Sequence, residues 1–233
     1  MKRWLKRIIG FLVLLILVVV GTKYVFFNDP VPKGEYPEKA DRLAQKMLDA
    51  INYEAYKNTR YLSWSYQGGR HQYRWDKAMG SVRVTWDENS VLVNLNDPSK
   101  SIIEESEKDI SDTERKELIQ KAVSYFNNDS FWLVAPFKVF DKGTERGLVP
   151  EEDGSMSLLV TYTKGGDTPG DTYLWKLNET GLPVSYKMWV QILPLNGLEA
   201  SWEGWHKTES GVLLPQTHKL GPFTLDLGKV RAR

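Results

Sequence analysis

Few side chains in this sequence have the types and spacing that catalysis requires. The three histidines, His71, His206 and His218, fall in separate predicted strands, without an HExxH pattern or a suitably spaced carboxylate. No nucleophile elbow, P-loop or dinucleotide-binding motif occurs. The chain has no cysteine, which excludes disulfides, thiol nucleophiles and cysteine-ligated zinc. The sequence therefore predicts no catalytic residue, no metal and no cofactor.

Two groups of carboxylates need a separate interpretation. Asp167 and Asp171 lie in a glycine-rich segment, KGGDTPGD at 164–171, and oxygen ligands on such a loop could bind calcium. The same residues are those that any hairpin loop uses for its backbone angles, and we interpret the segment as a turn. Glu199 and Glu203 share one face of a predicted strand, which indicates solvated carboxylates and not a glycosidase pair.

Aromatic residues dominate the candidate binding chemistry. The chain has nine tryptophans, and eight of them follow residue 27. They alternate with polar residues, so each strand places its rings on a defined face. A concave aromatic face would suit a lipid or an acyl chain, whereas the alternative is that these rings fill an ordinary core. The candidate ligand-binding residues are Trp64, Tyr66, Trp75, Trp86, Trp175, Trp189, Trp202 and Trp205.

Periodicity predicts the elements that carry these rings. Apolar residues at helical spacing predict a helix over 37–57, and from Tyr61 onward the period changes to two, which predicts strands. A capping box at Ser111 and Glu114 begins a second helix, which the polar segment 127–130 is expected to end. The segment 131–137 (FWLVAPF) is expected to form a short buried turn of helix.

The last third of the chain reads as strands and turns. The dipeptide Asn196-Gly197 is the strongest hairpin signal and is expected to join two long strands. About ten strands joined by short turns imply antiparallel pairing. The predicted fold class is α+β, with a large curved antiparallel sheet (a half-barrel) covered by about two helices and preceded by an N-terminal transmembrane helix.

The N-terminus predicts a membrane anchor. Residues 8–27 are almost entirely apolar, four bases precede them, and Lys23 near one end is their single charge. This pattern favours an uncleaved single-pass anchor with a cytoplasmic N-terminus and an extracytoplasmic domain; a cleaved signal peptide is the alternative. The expected organisation is a basic tail and anchor at 1–27, a linker at 28–36 and a β-rich domain at 37–233.

The charge distribution argues against nucleic acid as a partner. Residues 1–27 hold five bases and no acids, and the rest of the chain holds 26 bases and 30 acids, a net charge of −4. A domain of this sign lacks the basic surface that nucleic acids require. The expected partners are a lipid or acyl-chain ligand and the membrane contacted through residues 8–27.

The arrangement resembles a known superfamily. An N-terminal helix, a tryptophan-rich antiparallel sheet and an interposed helical segment are similar to the LolA-like lipoprotein carriers. The segments 129–143 (DSFWLVAPFKVFDKG), 165–175 (GGDTPGDTYLW) and 181–194 (GLPVSYKMWVQILP) resemble those of bacterial envelope proteins.

The resemblance implies a half-barrel with an apolar cavity for acyl chains and a binding role without catalysis. The carrier is a soluble shuttle, whereas this chain is predicted to be tethered, and no carrier residue matches a position here. An envelope hydrolase, its site assembled only in three dimensions, is the alternative.

Overall fold

The computed structural model describes residues 4, 14, 15, 21, 29–104, 110–164, 168–193 and 195–233. The anchor predicted at residues 8–27 lies outside the described residues, apart from Leu14, Leu15 and Gly21. In the part of the chain that is described, no helix has both the length and the apolar character needed to cross a membrane.

Three α-helices lie within the described part of residues 29–233: α1 (Pro37–Ala50), α2 (Tyr53–Asn58) and α3 (Asp112–Val134). The single helix predicted over 37–57 is therefore divided. The division falls at Asn52, which has a φ of 60° and whose side chain accepts a hydrogen bond from the backbone N–H of Ala55. Asparagine tolerates this left-handed conformation better than most residues, so it ends α1 and caps α2.

Fifteen short strands lie in the same part of the chain. They are β1 (Tyr61–Tyr66), β2 (His71–Asp76), β3 (Ser81–Trp86), β4 (Asn89–Asn94), β5 (Ile102–Glu104), β6 (Thr144–Pro150), β7 (Met156–Tyr162), β8 (Thr172–Leu177), β9 (Pro183–Trp189), β10 (Asn196–Ser201), β11 (His206–Lys207), β12 (Leu213–Leu214), β13 (Thr217–Leu220), β14 (Phe223–Asp226) and β15 (Arg231–Ala232). All their pairings are antiparallel, which confirms the predicted α+β class.

The strands form two large sheets where the sequence predicted one. The first sheet has the order β15-β1-β2-β3-β4-β5 and the second the order β10-β9-β8-β7-β6, while β11-β12 and β13-β14 are two-stranded ribbons. The division follows from the connection between β5 and β6. That connection contains α3, so these two strands do not pair.

Helices cover the inner faces of both sheets. α1 packs on β6 and β7, and α3 packs on β3, β4 and β5. The alternation in the first sheet places Leu62, Tyr73 and Val82 inward and buries them almost completely. One continuous hydrophobic core joins both sheets and the helices.

The predicted linker contacts the second sheet. Glu35 forms an antiparallel bridge with Leu148 on the edge strand β6. On β9, next to the opposite edge strand, Nε1 of Trp189 donates a 2.7 Å hydrogen bond to the backbone carbonyl of Asp29. Residues 29–35 therefore reach from β9 to β6, and a small second apolar cluster of Leu159, Leu174 and Trp189 lies apart from the main core.

Candidate ligand-binding cavity

A cavity of about 1590 Å³ lies where several parts of the fold meet. Its walls come from the C-terminal half of α3, strands β7 to β10, the β1–β2 turn and the β13–β14 hairpin. Pockets for drug-sized ligands have volumes of about 300–1,000 Å³. The space is therefore large enough for an elongated ligand such as an acyl chain.

Most side chains around the cavity are aromatic or aliphatic. Phe126, Phe131 and Trp132 project into it from α3. The second sheet and the connection after β9 contribute Tyr162, Tyr173, Tyr186, Met188, Val190 and Leu198. Such a lining matches the apolar, aromatic walls typical of sites for small apolar molecules.

Ring contacts join α3 to the second sheet at the wall of the cavity. The ring of Phe131 lies 4.8 Å from that of Tyr173 and 5.6 Å from that of Tyr162. The ring of Trp132 lies 5.8 Å from that of Tyr186. These tilted and edge-on contacts are favourable, and they hold the wall in a defined shape without filling the space beside it.

The charged residues that border the cavity are balanced in sign. They are Lys138, Lys142, Lys164, Asp141, Asp171 and Asp226. Lys138 and Asp141 form an ion pair of 2.5 Å. A border with equal numbers of positive and negative side chains suits an amphiphile with a polar end and does not select the sign of its head group.

Two of the eight predicted binding residues border this cavity. Tyr66 at the end of β1 and Trp75 on β2 both contribute to its wall. Burial raises the pKa of the Tyr66 hydroxyl to about 12, so that hydroxyl stays neutral at physiological pH. Both rings lie on the same face of the first sheet, because Trp75 pairs with Leu62, which is four residues before Tyr66 on β1.

The other six predicted residues lie elsewhere in the fold. Trp64, Trp86, Trp175 and Trp202 are at most 3% exposed in the main core. Trp205 stacks on Trp202 with a centroid distance of 5.9 Å. Trp189 belongs to the small second cluster. The sequence pattern located the aromatic strands, but the tertiary arrangement decides which rings reach the cavity.

The largest contribution that sequence reasoning missed comes from α3. The segment 127–130 was predicted to end this helix, and that prediction is wrong because α3 runs without interruption to Val134. Phe126, Phe131 and Trp132 are thereby placed along one wall of the cavity. The signal was the apolar segment FWLVAPF, which was assigned only a short buried turn.

A buried carboxylate explains why α3 continues. Asp129 is 1% exposed, and its Oδ2 accepts hydrogen bonds from the hydroxyl of Tyr73 at 2.5 Å and from Nδ1 of His71 at 2.6 Å. Asn128 donates to the other oxygen. Burial and the charge of Asp129 raise the pKa of Tyr73 well above its ordinary value. The carboxylate of Asp129 is thus bonded to β2 and does not compete for the backbone hydrogen bonds of the helix.

The His71–Asp129 pair bears on the alternative of a hydrolase. Neither residue borders the cavity; Tyr66, which stacks on His71 at 5.8 Å, does. The imidazole is also stacked on Tyr125 at 3.9 Å. Within the described residues, no hydroxyl nucleophile is hydrogen-bonded to His71. The pair therefore ties helix to sheet.

The glycine-rich loop is only partly described, because residues 165–167 lie outside the described residues. Asp171 accepts hydrogen bonds from the Thr168 hydroxyl at 2.5 Å and from the Gln191 backbone N–H at 3.0 Å. These hydrogen bonds to the Asp171 carboxylate stabilise the turn. In the described ranges, no group of three histidine, aspartate or glutamate side chains is arranged to hold a metal ion.

The fold and the cavity define an α+β domain with an apolar internal space between helix and sheet. No protein-family model and no curated protein matches this chain. Among solved structures, the chain is similar to a DUF1329 family protein from Desulfovibrio piger ATCC 29098, with 12% sequence identity and a TM-score of 0.40. The match covers 85% of this chain and 93% of that one.

Proposed function

We propose that this domain binds an elongated apolar ligand, the acyl chain of a lipid or lipoprotein, without catalysis. The observation that supports the proposal is the cavity of about 1590 Å³ with its wall of aromatic and aliphatic side chains. The resemblance of the sequence to the LolA-like carriers points to the same class of ligand. A curved, half-barrel arrangement of the second sheet around the ligand is part of the proposal.

The energetics of an acyl chain are favourable in such a space. Each methylene removed from water contributes about 0.8 kcal/mol, so a chain of about ten methylenes gains about 8 kcal/mol before costs. Association costs at least about 4 kcal/mol in lost freedom. Met188 in the wall adds a flexible side chain that adapts to ligands of different shape. We therefore expect the domain to bind single acyl chains reversibly.

A membrane tether completes the proposal. The apolar residues 8–27, flanked by bases on the N-terminal side, would anchor the chain with the domain outside the cytoplasm. A tethered domain would take up or release lipid at the membrane and would not diffuse away with the bound lipid. Protease added to spheroplasts should then digest the domain, and complete protection of the domain would contradict this topology.

Native mass spectrometry of the purified full chain tests the binding function. We expect lipid to co-purify with the wild-type protein. Leu198→Trp adds a bulky ring to the wall of the cavity and should reduce the lipid-bound fraction at least tenfold. Met156→Trp, at a position that is 46% exposed on β7, is the matched control and should keep the wild-type fraction. Equal lipid retention in all three proteins would rule out the cavity as the binding site.

A further inference from the structure

The outer face of the first sheet carries a row of arginines on neighbouring strands. Arg231 on β15 pairs with Ser63 on β1, Ser63 pairs with Arg74 on β2, and Arg74 pairs with Arg83 on β3. Their neighbours along each strand point to the buried inner side, so these four side chains share the opposite face. This face is separate from the apolar cavity.

The row has a depression at its centre. Neighbouring strands lie about 4.8 Å apart, so Arg231 and Arg74 stand about 10 Å apart with the small Ser63 between them. Two long side chains beside a short one leave a hollow floored by a hydroxyl. A pocket of about 500 Å³ is found at this place, and these three residues line it.

The charged side chains around the pocket favour the binding of an anion. Arg83 is paired with Glu104 through contacts of 2.5 and 2.6 Å. Arg74 and Arg231 have no ion-pair partner among the described residues, and both side chains are exposed. Like charges directly opposite each other on adjacent strands are destabilising, as at Arg74 and Arg83.

The charged lining of the pocket is mostly basic. It consists of Arg74, Arg83, Arg231, Arg233, Asp76 and Glu209. Asp76 is already bonded to Arg60, which approaches with Nε and Nη2. This positive concavity lies on a domain whose net charge is −4, so its sign is a local feature and not a consequence of composition.

We infer that the hollow between Arg231 and Arg74 is a binding site for a phosphate group. Guanidinium groups bind phosphate through paired N–H···O contacts, and the Ser63 hydroxyl supplies a further donor. A tetrahedral anion has enough oxygens to accept from both guanidinium groups and from the hydroxyl together. A carboxylate, with two oxygens, would leave part of this set unused. The phosphate comes either from solution or from a lipid head group.

Calorimetric titration of the full chain in an uncharged detergent tests the site with inorganic phosphate and with glycerophosphoglycerol. Arg74→Gln and Arg231→Gln should each weaken binding tenfold or more. Arg74→Lys should also weaken it, because lysine keeps the charge and loses the paired donors. Arg70→Gln, an exposed position in the β1–β2 turn, removes the same charge and should bind as the wild type does.

Thermal unfolding of the variants checks that they are folded. Without phosphate, Arg74→Gln relieves the repulsion from Arg83 and should unfold at a temperature equal to or above that of the wild type. Tighter binding of inorganic phosphate would support a soluble source, and tighter binding of the phosphodiester would support a lipid head group. Absence of binding by both probes would overturn the inference. So would equal weakening by Arg70→Gln and Arg74→Gln, since that result would reflect net charge alone.

Discussion

The two halves of α3 cover the two large sheets in different ways. Over the first sheet, Ile119 and Ala122 are buried and the helix packs directly on β3, β4 and β5. Over the second sheet, Phe131 and Trp132 are only partly buried and border the large cavity. The N-terminal half of α3 therefore completes a closed core, and its C-terminal half forms one wall of the cavity.

The side chains opposite the helix differ between the two sheets. The first sheet presents valines beneath α3, including Val82, Val84 and Val91, and these small side chains let the helix approach closely. Trp75 of the same sheet contacts Phe126 of α3 edge-on at 5.2 Å. The second sheet presents tyrosines such as Tyr173 and Tyr186, whose rings meet the helix edge-on or tilted. Beside these rings the cavity remains open, and that space is available to a ligand.

Replacing Trp64 should produce the largest loss of stability. Trp64 is 3% exposed and stacks on Tyr73 at 4.6 Å beneath α3. Trp64→Ala leaves a cavity in the closed core and should cost about 3–5 kcal/mol in the free energy of unfolding. Urea unfolding of the full chain measures this loss. Lipid co-purifying with the folded fraction should be unchanged; selective loss of lipid at wild-type stability would place Trp64 in the binding site instead.

The buried carboxylate that joins α3 to β2 should have the next largest effect. Asp129→Ala leaves the Tyr73 hydroxyl and the His71 Nδ1 without an acceptor, at about 1–3 kcal/mol for each group. A total near 3 kcal/mol is expected by urea unfolding. Asp129→Asn keeps one acceptor oxygen and serves as the matched control. Equal and small losses in the two variants would show that Asp129 does not hold the helix to the first sheet.

This carboxylate also shows where sequence reasoning reached its limit. The polar residues at 127–130 predicted a helix end, because such side chains compete for backbone hydrogen bonds when they have no other partner. Asp129 has its partners on β2, 56 and 58 residues earlier in the chain. No local pattern reveals such a contact. The strands β1 to β4, in contrast, follow from period-two alternation and short turns, which are local signals.

The Asn196-Gly197 dipeptide illustrates a second limit. The two strands that it was expected to join do pair, but Asn196 lies opposite Trp189, so residues 190–195 make the connection. Gly197 has a φ of 74° and sits at a register shift in β10. A Cβ there would lie 2.7 Å from that of Asp29. The absence of a side chain at Gly197 leaves room for Asp29 of the linker. The glycine is therefore required by a tertiary contact, although in the sequence it looks like part of a hairpin turn.

Acid should weaken the packing of β13 against β10 through His218. This residue is fully buried, lies 4.5 Å from the ring of Trp202 and 5.2 Å from that of Trp132, and its Nδ1 is bonded to the Ser201 carbonyl. Burial lowers the pKa of His218 to about 4 from its ordinary 6.5. Glu203 and the Ser201 and Trp132 carbonyls oppose this shift.

The sign of the pH dependence follows from this depressed pKa. Between pH 6.5 and about 4 the unfolded chain binds a proton at His218 and the folded chain does not, so stability falls as the pH falls. The full loss is about 3 kcal/mol. Urea unfolding of wild type and His218→Gln across this range measures it as the difference between the two slopes. Parallel slopes would show that His218 does not titrate in this way.

Replacing Trp132 should separate binding from stability. Its ring is partly buried at the cavity wall, so Trp132→Ala removes ligand contact and should cost less stability than Trp64→Ala. We expect the lipid-bound fraction in native mass spectra to fall about tenfold, equivalent to about 1.4 kcal/mol. Trp132→Phe keeps an aromatic surface and should retain most binding. A large loss of stability with unchanged lipid binding would reverse the roles assigned to Trp132 and Trp64.

The smallest expected effect comes from the start of α3, at the end remote from the cavity. The Ser111 hydroxyl accepts a hydrogen bond from the backbone N–H of Glu114 at 3.2 Å, which confirms one half of the predicted capping box. Ser111→Ala removes this cap and should cost about 1 kcal/mol in the free energy of unfolding. Ser111→Asp keeps a capping oxygen and should restore it. A helix rises about 1.5 Å per residue, so Trp132 lies about 30 Å away. Lipid retention should therefore be the same in both variants as in the wild type. A fall in retention with Ser111→Ala alone would mean that the two halves of α3 act as one unit, and that closing the core over the first sheet also sets the shape of the cavity over the second.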